Sequence, residues 1–263
     1  MIFPSIDKAK ELARNGRIVP ICKTVLADTE TPVSIWLKLF RTERYSFLLE
    51  SVTGSDVVAR YSFIGGNPFM AFRVNGDDWK IDGDFSEQGC GAPLQKLREI
   101  MAGFRPVPVP GLPRFCGGAV GFFSYDSVRL AENIPDKNPD NAFLDDIFLG
   151  FYKDLIAFDN KEHKLLLIAN IFTNPAIAFE NQYKEAASRI GMLQDKMSVR
   201  LASSNIAIDQ LDEPGSNFRR EEYEGAVDKC KEYIRAGDIF QVVLSQRFSI
   251  NVAADPFDLY RIL

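Results

Sequence analysis

Hydrophobic positions recur with helical or strand spacing along most of the chain, so its elements can be predicted from this pattern. Apolar residues at helical spacing begin directly after the capping residue Ser5 and predict a first helix that ends at Asn15-Gly16. The run from Ile18 to Leu26 is typical of a strand. Thr31-Pro32 combines a capping hydroxyl with a proline at the first helical position, which predicts a second helix through Phe40.

A series of short β segments follows, and one turn between them has a specific signal. Asn75-Gly76 predicts a type I′ hairpin, because both central residues of that turn need a positive φ. Residues 94–104 have apolar positions at helical spacing instead. Strands are predicted at residues 45–50, 60–64, 69–74, 79–81 and 117–125.

Two longer apolar runs, residues 147–158 and 164–172, flank the polar turn Asn160-Lys161-Glu162-His163 and predict a pair of strands. A long helix is predicted from Asn174-Pro175 to about Val199. Strands and helices therefore come in blocks rather than in strict alternation. This order favours an α+β fold over a doubly wound parallel sheet.

A polar segment separates this first region from a second one. Residues 203–216 carry Pro214-Gly215 and are the best linker candidate. A helix with one apolar face is predicted over Arg220–Ala236, with Gly237 at its C-cap.

The last part of the chain is predicted to contain a strand and the start of a helix. Residues 240–250 alternate between apolar and polar, and Asp255-Pro256 begins a helix. The polar face of the strand, with Gln241, Ser245 and Arg247, would face either a pocket or solvent. The helix over Arg220–Ala236 and this strand each have an apolar face for which we expect no covering partner in the chain, so exposed patches should promote aggregation.

Composition and charge narrow the class of protein. The chain has 263 residues, a hydrophobic fraction of 46%, a charged fraction of 25% and a formal net charge of −5. These values are typical of a folded globular protein and give no basic footprint for nucleic acid or a membrane surface. The N-terminus has no signal-peptide layout, and the longest apolar stretch, residues 165–172, is far shorter than the ~20 residues of a membrane span. We therefore expect a soluble, cytoplasmic protein without nucleic-acid or membrane partners.

Most candidate chemistry in the sequence has a simple structural interpretation. The cysteines, at positions 22, 90, 116 and 230, are scattered, and the single histidine, His163, lies in a charged turn, so neither a zinc site nor a catalytic triad is predicted. Asp136-x-Asn138-x-Asp140 lacks the glycine and glutamate of a calcium loop. The glycines at 117, 118 and 121 lie in a strand and indicate close backbone packing rather than a phosphate loop. Asp145-Asp146 would point to opposite faces of a strand.

One pair of segments is more informative. Leu48-Leu49-Glu50-Ser51 ends an apolar strand with a carboxylate and a hydroxyl, two acceptors that suit an ammonium group. Arg60-Tyr61-Ser62 adds a guanidinium that would pair with Glu50 or with a ligand carboxylate. The residues alone leave open a plain ion pair at the strand end.

Four stretches of the sequence, taken together, resemble the large component (component I) of anthranilate synthase, a family of chorismate-utilising enzymes. They occur in the family's order across nearly the whole chain. The last stretch is the most specific, although the sister enzyme that makes aminodeoxychorismate is similar there, and the first two stretches favour anthranilate synthase. The four are Leu48-Leu49-Glu50-Ser51, Arg60-Tyr61-Ser62-Phe63-Ile64-Gly65, residues 115–129 and residues 231–247.

This resemblance implies a fold, a reaction and a regulatory site. The fold would be orthogonally packed antiparallel β-sheets flanked by helices. The reaction would be that of a Mg²⁺-dependent lyase in tryptophan biosynthesis, which converts chorismate and ammonia to anthranilate and pyruvate, with ammonia from a glutamine amidotransferase partner subunit. In the family, the Leu-Leu-Glu-Ser strand belongs to a pocket where L-tryptophan causes feedback inhibition. Carried over to this sequence, Glu50 and Ser51 would hold the tryptophan amino group, and Leu49, Arg60 and Tyr61 would line the pocket.

The sequence also departs from the family. The general-base histidine, the carboxylates that hold Mg²⁺ and the segment that closes the tryptophan pocket have no match and are expected downstream of Leu263. The resemblance divides the chain into a regulatory-type domain (1–200), a linker (201–217) and an incomplete chorismate-binding catalytic domain (218–263). We expect this truncated chain to be inactive alone. The alternatives are aminodeoxychorismate synthase component I and a stand-alone amino-acid-binding module.

Overall fold

The structure, a computed structural model, describes residues 1–51, 60–135, 144–201 and 213–263. The chain divides into two compact units, Met1–Leu201 and Ala202–Leu263. The calcium-loop pattern at residues 136–140 and most of the linker candidate at 203–216 lie outside the described residues. No helix among those described is both long and apolar enough to cross a bilayer.

In its described residues the first unit contains two antiparallel sheets with helices packed against them, which confirms the predicted α+β class. The strands are β1 (Ile2–Phe3), β2 (Ile18–Leu26), β3 (Phe47–Leu49), β4 (Tyr61–Gly65), β5 (Met70–Asn75), β6 (Asp78–Gly83), β7 (Glu87–Cys90), β8 (Gly118–Phe123), β9 (Ile147–Tyr152), β10 (Asp154–Asp159) and β11 (Lys164–Phe172). The helices are α1 (Ile6–Leu12), α2 (Pro32–Leu39), α3 (Pro93–Ala102) and α4 (Phe179–Met197), with a 3-10 helix at Tyr125–Leu130.

Capping residues set the starts of the first two helices where the sequence predicted them. The Ser5 hydroxyl accepts a hydrogen bond from the Lys8 amide at 3.5 Å. Thr31 and Ser34 form a reciprocal capping box, in which each side chain accepts from the other's amide. Both helices therefore begin with their unpaired amides satisfied, as the local sequence indicates.

The larger sheet is covered on both faces. Its six strands have the order β1-β2-β11-β10-β4-β3, and every neighbouring pair is antiparallel. On one face, Ile156 and Phe158 of β10 belong to a cluster that includes Ile190 of α4. On the other face, Leu155 packs with a cluster that includes Phe115. This two-sided burial explains why β10 and β11 are apolar almost without interruption.

The smaller sheet packs one apolar cluster against a helix on one of its faces. Its order is β7-β6-β5-β9-β8, and Phe72 and Phe151 on its inner face pack against Leu97 of α3. Strand β7 was not predicted. Its residues, Glu87–Cys90, lack apolar alternation, so nothing local marks them as a strand before β6 pairs with them.

The prediction of one strand over residues 147–158 is wrong. β9 pairs with β5 and β8 in the smaller sheet, whereas β10 pairs with β4 and β11 in the larger sheet. The break falls at Lys153, whose carbonyl accepts the Asn170 amide at 2.9 Å and the Asn170 side-chain amide at 3.0 Å. Both halves are apolar and buried, and the charged pair Lys153-Asp154 marks the break between them in the sequence. That local signal does not reveal that the two halves join different sheets.

The hairpin between β5 and β6 is confirmed, but its predicted turn type is wrong. Asn75 pairs with Asp78, so the two loop residues are Gly76 and Asp77. Of these two described residues only Gly76 has a positive φ, of 57°. A glycine at the first central position is typical of a type II′ turn, which needs only one positive φ.

Close backbone packing at the Gly117–Gly121 segment is confirmed. A Cβ at Gly117 would lie 2.5 Å from Nδ2 of buried Asn170, and one at Gly121 would lie 1.8 Å from the Phe148 carbonyl oxygen. The glycines therefore let β8 approach its neighbours, and they do not form a phosphate-binding loop.

The second unit contains two helices and one short strand pair in its described residues. These are α5 (Arg220–Ala236), α6 (Pro256–Ile262), β12 (Gly215–Ser216) and β13 (Phe248–Ser249). Both predicted helices are confirmed. The strand predicted over residues 240–250 is present only at β13, because the two-residue β12 is the one strand that pairs with it among the described residues. A longer strand would leave its backbone groups without sheet partners.

Candidate functional site

The predicted site residues meet at the end of an edge strand. β3 is one of the two edge strands of the larger sheet, Leu49 is its last residue, and Glu50 and Ser51 follow directly. Leu49 is paired with Phe63 of β4. Beyond the strand, the Ser51 amide donates a hydrogen bond to Oγ of Ser62 at 3.3 Å. The structure therefore brings the Leu-Leu-Glu-Ser and Arg-Tyr-Ser segments side by side.

Arg60 has a partner that the sequence did not suggest. Its Nε and Nη2 donate to Oδ2 of Asp159 at 3.0 and 2.6 Å. The sequence suggested Glu50 or a ligand carboxylate as the partner of Arg60. In the structure, Asp159 binds the guanidinium instead. Burial acts to raise the pKa of the Asp159 carboxyl, but hydrogen bonds from Arg60 and from the Glu162 and Lys161 amides outweigh it and hold that pKa below its usual value.

An aromatic row lies beside the strand end. The rings of Tyr61 and Phe63 are 6.2 Å apart, and Phe115 meets Phe63 edge to face at 5.2 Å. The Arg60 guanidinium lies 5.0 Å from the centre of the Tyr61 ring. Burial raises the pKa of the Tyr61 hydroxyl. Phe63 and Phe115, both half-buried, were not singled out as site residues, although both lie within the stretches that carry the family resemblance.

Leu49 also borders an open groove between β3 and β8. The groove has a volume of about 550 Å³, and Leu49, with 48% of its surface exposed, lines it together with Phe122 and Phe148. The other four predicted site residues, all within the described part of the chain, do not line it. The five residues are thus neighbours along the strand end without sharing one enclosed cavity.

A second polar network fixes the start of β3 against the smaller sheet. The Tyr152 hydroxyl donates to the Tyr45 carbonyl at 2.6 Å. The Arg73 guanidinium lies 5.3 Å from the centre of the Tyr45 ring, hydrogen bonds its hydroxyl and pairs with Asp145 at 2.8 Å. These contacts join residues far apart in sequence, so no local pattern could predict them.

The remaining candidate residues have structural surroundings. Asp145 binds Arg73, whereas Asp146 accepts the Gly76 amide at 2.7 Å, so the two carboxylates do not act as a pair. Cys22 and Cys116 are buried in the same cluster as free thiols, and burial raises their pKa values to about 12 and about 11. A thiol in such surroundings stays protonated and unreactive at neutral pH.

The described residues bring together no cluster of metal ligands for the Mg²⁺ that the resemblance implies. Within residues 1–51, 60–135, 144–201 and 213–263, no three or more histidine, cysteine, aspartate or glutamate side chains come close enough to hold a metal ion. Mg²⁺ prefers octahedral oxygen coordination by carboxylates, substrate phosphates and water. We therefore derive no catalytic step through Mg²⁺ from these residues.

Comparison with known proteins identifies the class. The family model described as chorismate binding enzyme matches residues 46–263, which include the strand end, the aromatic row and the whole second unit. The chain therefore belongs to the family of chorismate binding enzymes.

Individual relatives indicate which type of enzyme within this family the chain is similar to. The chain is 34% identical to anthranilate synthase component 1 of Acetivibrio thermocellus over 100% of its own length and 54% of the relative's. It is 36% identical to that of Aquifex aeolicus (98% and 53%) and 39% identical to that of Pseudomonas aeruginosa (93% and 51%). The crystal structure of anthranilate synthase component I from Streptococcus pneumoniae aligns with a TM-score of 0.63 at 26% identity, over 90% of this chain and 51% of that one.

These comparisons confirm the resemblance inferred from the four sequence stretches. The chain spans about half the length of the curated relatives it matches. The designation "component 1" of those relatives implies that they work with a second component.

Proposed function

We propose that the chain is part of the large component of an anthranilate synthase. This lyase converts chorismate and ammonia to anthranilate and pyruvate in tryptophan biosynthesis, with Mg²⁺ as cofactor and a glutamine amidotransferase subunit as the source of ammonia. The observation that carries the proposal is similarity over the whole chain to proteins named anthranilate synthase component 1, at 34% identity over 100% of its length.

The catalytic residues, in this proposal, belong to the half of the relatives that this chain does not cover. The purified chain, supplied with chorismate, ammonia and Mg²⁺, is expected to form no product. Anthranilate, detected by its fluorescence, would contradict the placement of the catalytic residues, and aminodeoxychorismate would favour the sister enzyme.

We propose further that the end of β3 binds L-tryptophan as a feedback inhibitor. Glu50 supplies the negative charge and Ser51 the hydroxyl that suit an ammonium group. Leu49, Tyr61 and Phe63 add an apolar and aromatic surface next to them, which suits an indole ring. In this arrangement Arg60 supports the Tyr61 ring and does not bind the ligand carboxylate, because Asp159 holds its guanidinium.

Calorimetry tests the proposed tryptophan site. The chain is expected to bind L-tryptophan, and to bind indole, which lacks the amino group, much more weakly. Glu50→Gln removes the charge while keeping the shape and is expected to weaken tryptophan binding about tenfold or more, since hydrogen bonds to charged groups contribute about 1.5–3 kcal/mol. Glu87→Gln is a matched control, because Glu87 lies in the smaller sheet and pairs with Lys96.

Two outcomes would contradict the site. Absence of tryptophan binding by the unmodified chain would exclude a tryptophan site formed by this chain alone and, with it, the stand-alone amino-acid-binding module. If Glu50→Gln and Glu87→Gln weaken tryptophan binding equally, the loss of affinity does not come from the end of β3.

A further inference from the structure

We infer that Asp159 and Asn160, adjacent residues at the turn between β10 and β11, are positioning residues for the ligand site at Glu50 and Ser51. The inference rests on the tryptophan site proposed above and concerns what holds that site in shape. Neither residue belongs to the sequence stretches that pointed to the site. Both lie about a hundred positions away in the chain and reach the site through β4.

The Asp159 carboxylate is fixed on both sides. Its side chain is only 6% exposed, and its Oδ1 accepts the amides of Lys161 and Glu162 at 3.1 Å each. Its Oδ2 accepts two hydrogen bonds from Arg60, the residue directly before β4. Hydrogen bonds from the turn thus hold the Asp159 carboxylate in place, and this carboxylate in turn holds the Arg60 guanidinium over the Tyr61 ring.

Asn160 forms hydrogen bonds to both residues next to Tyr61 in the chain, Arg60 and Ser62. Its backbone amide donates to the Arg60 carbonyl at 2.8 Å, and its Nδ2 donates to Oγ of Ser62 at 3.2 Å. Ser62 is 1% exposed, and the same Oγ accepts the Ser51 amide at 3.3 Å. Asn160 therefore holds the hydroxyl oxygen that anchors the backbone of Ser51.

The two turn residues together hold both neighbours of Tyr61 and, through one of them, the strand end after Leu49. An edge strand is paired on one side only, so an anchor just past its end reduces the freedom that a ligand would otherwise have to restrict. A site whose residues are already held in place binds more tightly for the same contacts. The turn is therefore expected to affect ligand affinity without touching the ligand.

A double-mutant cycle, measured by calorimetry with L-tryptophan, tests the two consecutive hydrogen bonds that connect Asn160 through Ser62 to Ser51. Asn160→Ala and Ser62→Ala are each expected to weaken binding about three- to tenfold, the range of one or two lost hydrogen bonds. Because they act through one oxygen, the double variant is expected to bind no more weakly than Ser62→Ala alone. Losses that multiply would overturn the inference.

A matched control separates positioning from general stability. Asp154 lies at the opposite end of β10, and both its oxygens accept a hydrogen bond from Nε of Arg189 at 3.0 Å. Asp159→Asn is expected to weaken tryptophan binding, whereas Asp154→Asn is expected to bind like the unmodified chain while lowering the denaturation midpoint. Equal affinity losses in both variants would overturn the inference.

The Ser51 amide provides a readout that needs no ligand. In serine-labelled protein its proton resonance is expected to move upfield in Ser62→Ala and Asn160→Ala and to stay unchanged in Asp154→Asn. Should Ser62→Ala fail to fold, Asn160→Ala decides alone, because its half-buried side chain leaves no large cavity. If the unmodified chain binds no tryptophan, the ligand site and the inference fall together; if it binds and the turn variants bind equally well, only the inference falls.

Discussion

In the described part of residues 1–201, the helices and strands pack their apolar faces into three buried clusters. In contrast, none of the described residues 213–263 is buried. Local signals are equally clear in both regions. Ser5 caps α1, and Asp255 caps α6 by accepting the Phe257 amide at 2.9 Å. The difference is that strands β2, β4, β10 and β11 find partners distant in sequence, while the alternating residues 240–247 form no strand. Caps form helices locally, but a strand needs a non-local partner.

The largest expected contrast is in core truncation. Ile156 is fully buried in the larger sheet, and Ile156→Ala is expected to lower the free energy of unfolding by about 2–5 kcal/mol, because it leaves a cavity. Ile234 of α5 is 43% exposed, and Ile234→Ala is expected to change it by less than about 0.5 kcal/mol. Guanidinium denaturation followed by circular dichroism measures both. If the two variants lose similar free energies of unfolding, Ile234 is buried in solution.

A glycine-to-alanine pair should give opposite signs in the two regions. Gly121→Ala places a methyl group on the Phe148 carbonyl and is expected to cost about 1–3 kcal/mol through backbone displacement. Gly225 lies inside α5, and among the described residues no atom beyond the helix's own neighbouring backbone lies within 4 Å of the added methyl group. Gly225→Ala is therefore expected to stabilise that helix by up to about 1 kcal/mol. Thermal melting and helix content report the two signs. Destabilisation by Gly225→Ala would mean that α5 packs closely there.

A smaller contrast concerns ion pairs and pH. The pKa of the Asp159 carboxyl is lowered in the folded chain, so its stabilising effect is present above the unfolded value of about 3.9 and is lost as the pH falls through the folded value. Asp159→Asn is therefore expected to lower the denaturation midpoint at neutral pH, with the difference shrinking in acid. Glu222 pairs with Arg219 on the exposed surface of α5, and Glu222→Gln is expected to have no measurable effect in high salt. A salt-insensitive loss in Glu222→Gln would contradict the contrast.

The smallest effect on stability is expected at two apolar side chains that are almost fully exposed. Phe240 and Val243 are 94% and 82% exposed. The double variant Phe240→Ser, Val243→Ser is expected to bind less of a hydrophobic dye and to aggregate less, because it removes an apolar patch, while the midpoint stays unchanged. Light scattering and dye fluorescence measure this. Unchanged aggregation would show that other surfaces of the chain cause it.

Much of the fold could be predicted because its signals are local. The Ser5 and Thr31 caps, the Gly237 C-cap with a φ of 82° and the turn after Asp159 follow from a few neighbouring residues. The change of sheet at Lys153 could not be predicted, because Lys153-Asp154 interrupts the apolar run without showing which distant strands each half pairs with. β7 could not be predicted either, because its polar residues become a strand only when β6 pairs with them.

The candidate site shows the same division. Its residue types, Glu50 with Ser51 and Arg60 with Tyr61, can be singled out from the sequence and its family resemblance. The ion pair of Arg60 with Asp159 could not, because it joins residues ninety-nine positions apart. The sequence by itself determined the helices, the turns and the kind of chemistry at the strand end, since these depend on short-range capping, spacing and residue type. The tertiary structure alone decided which strands pair, which carboxylate holds Arg60 and which apolar faces are covered, since each of these depends on contacts between distant segments.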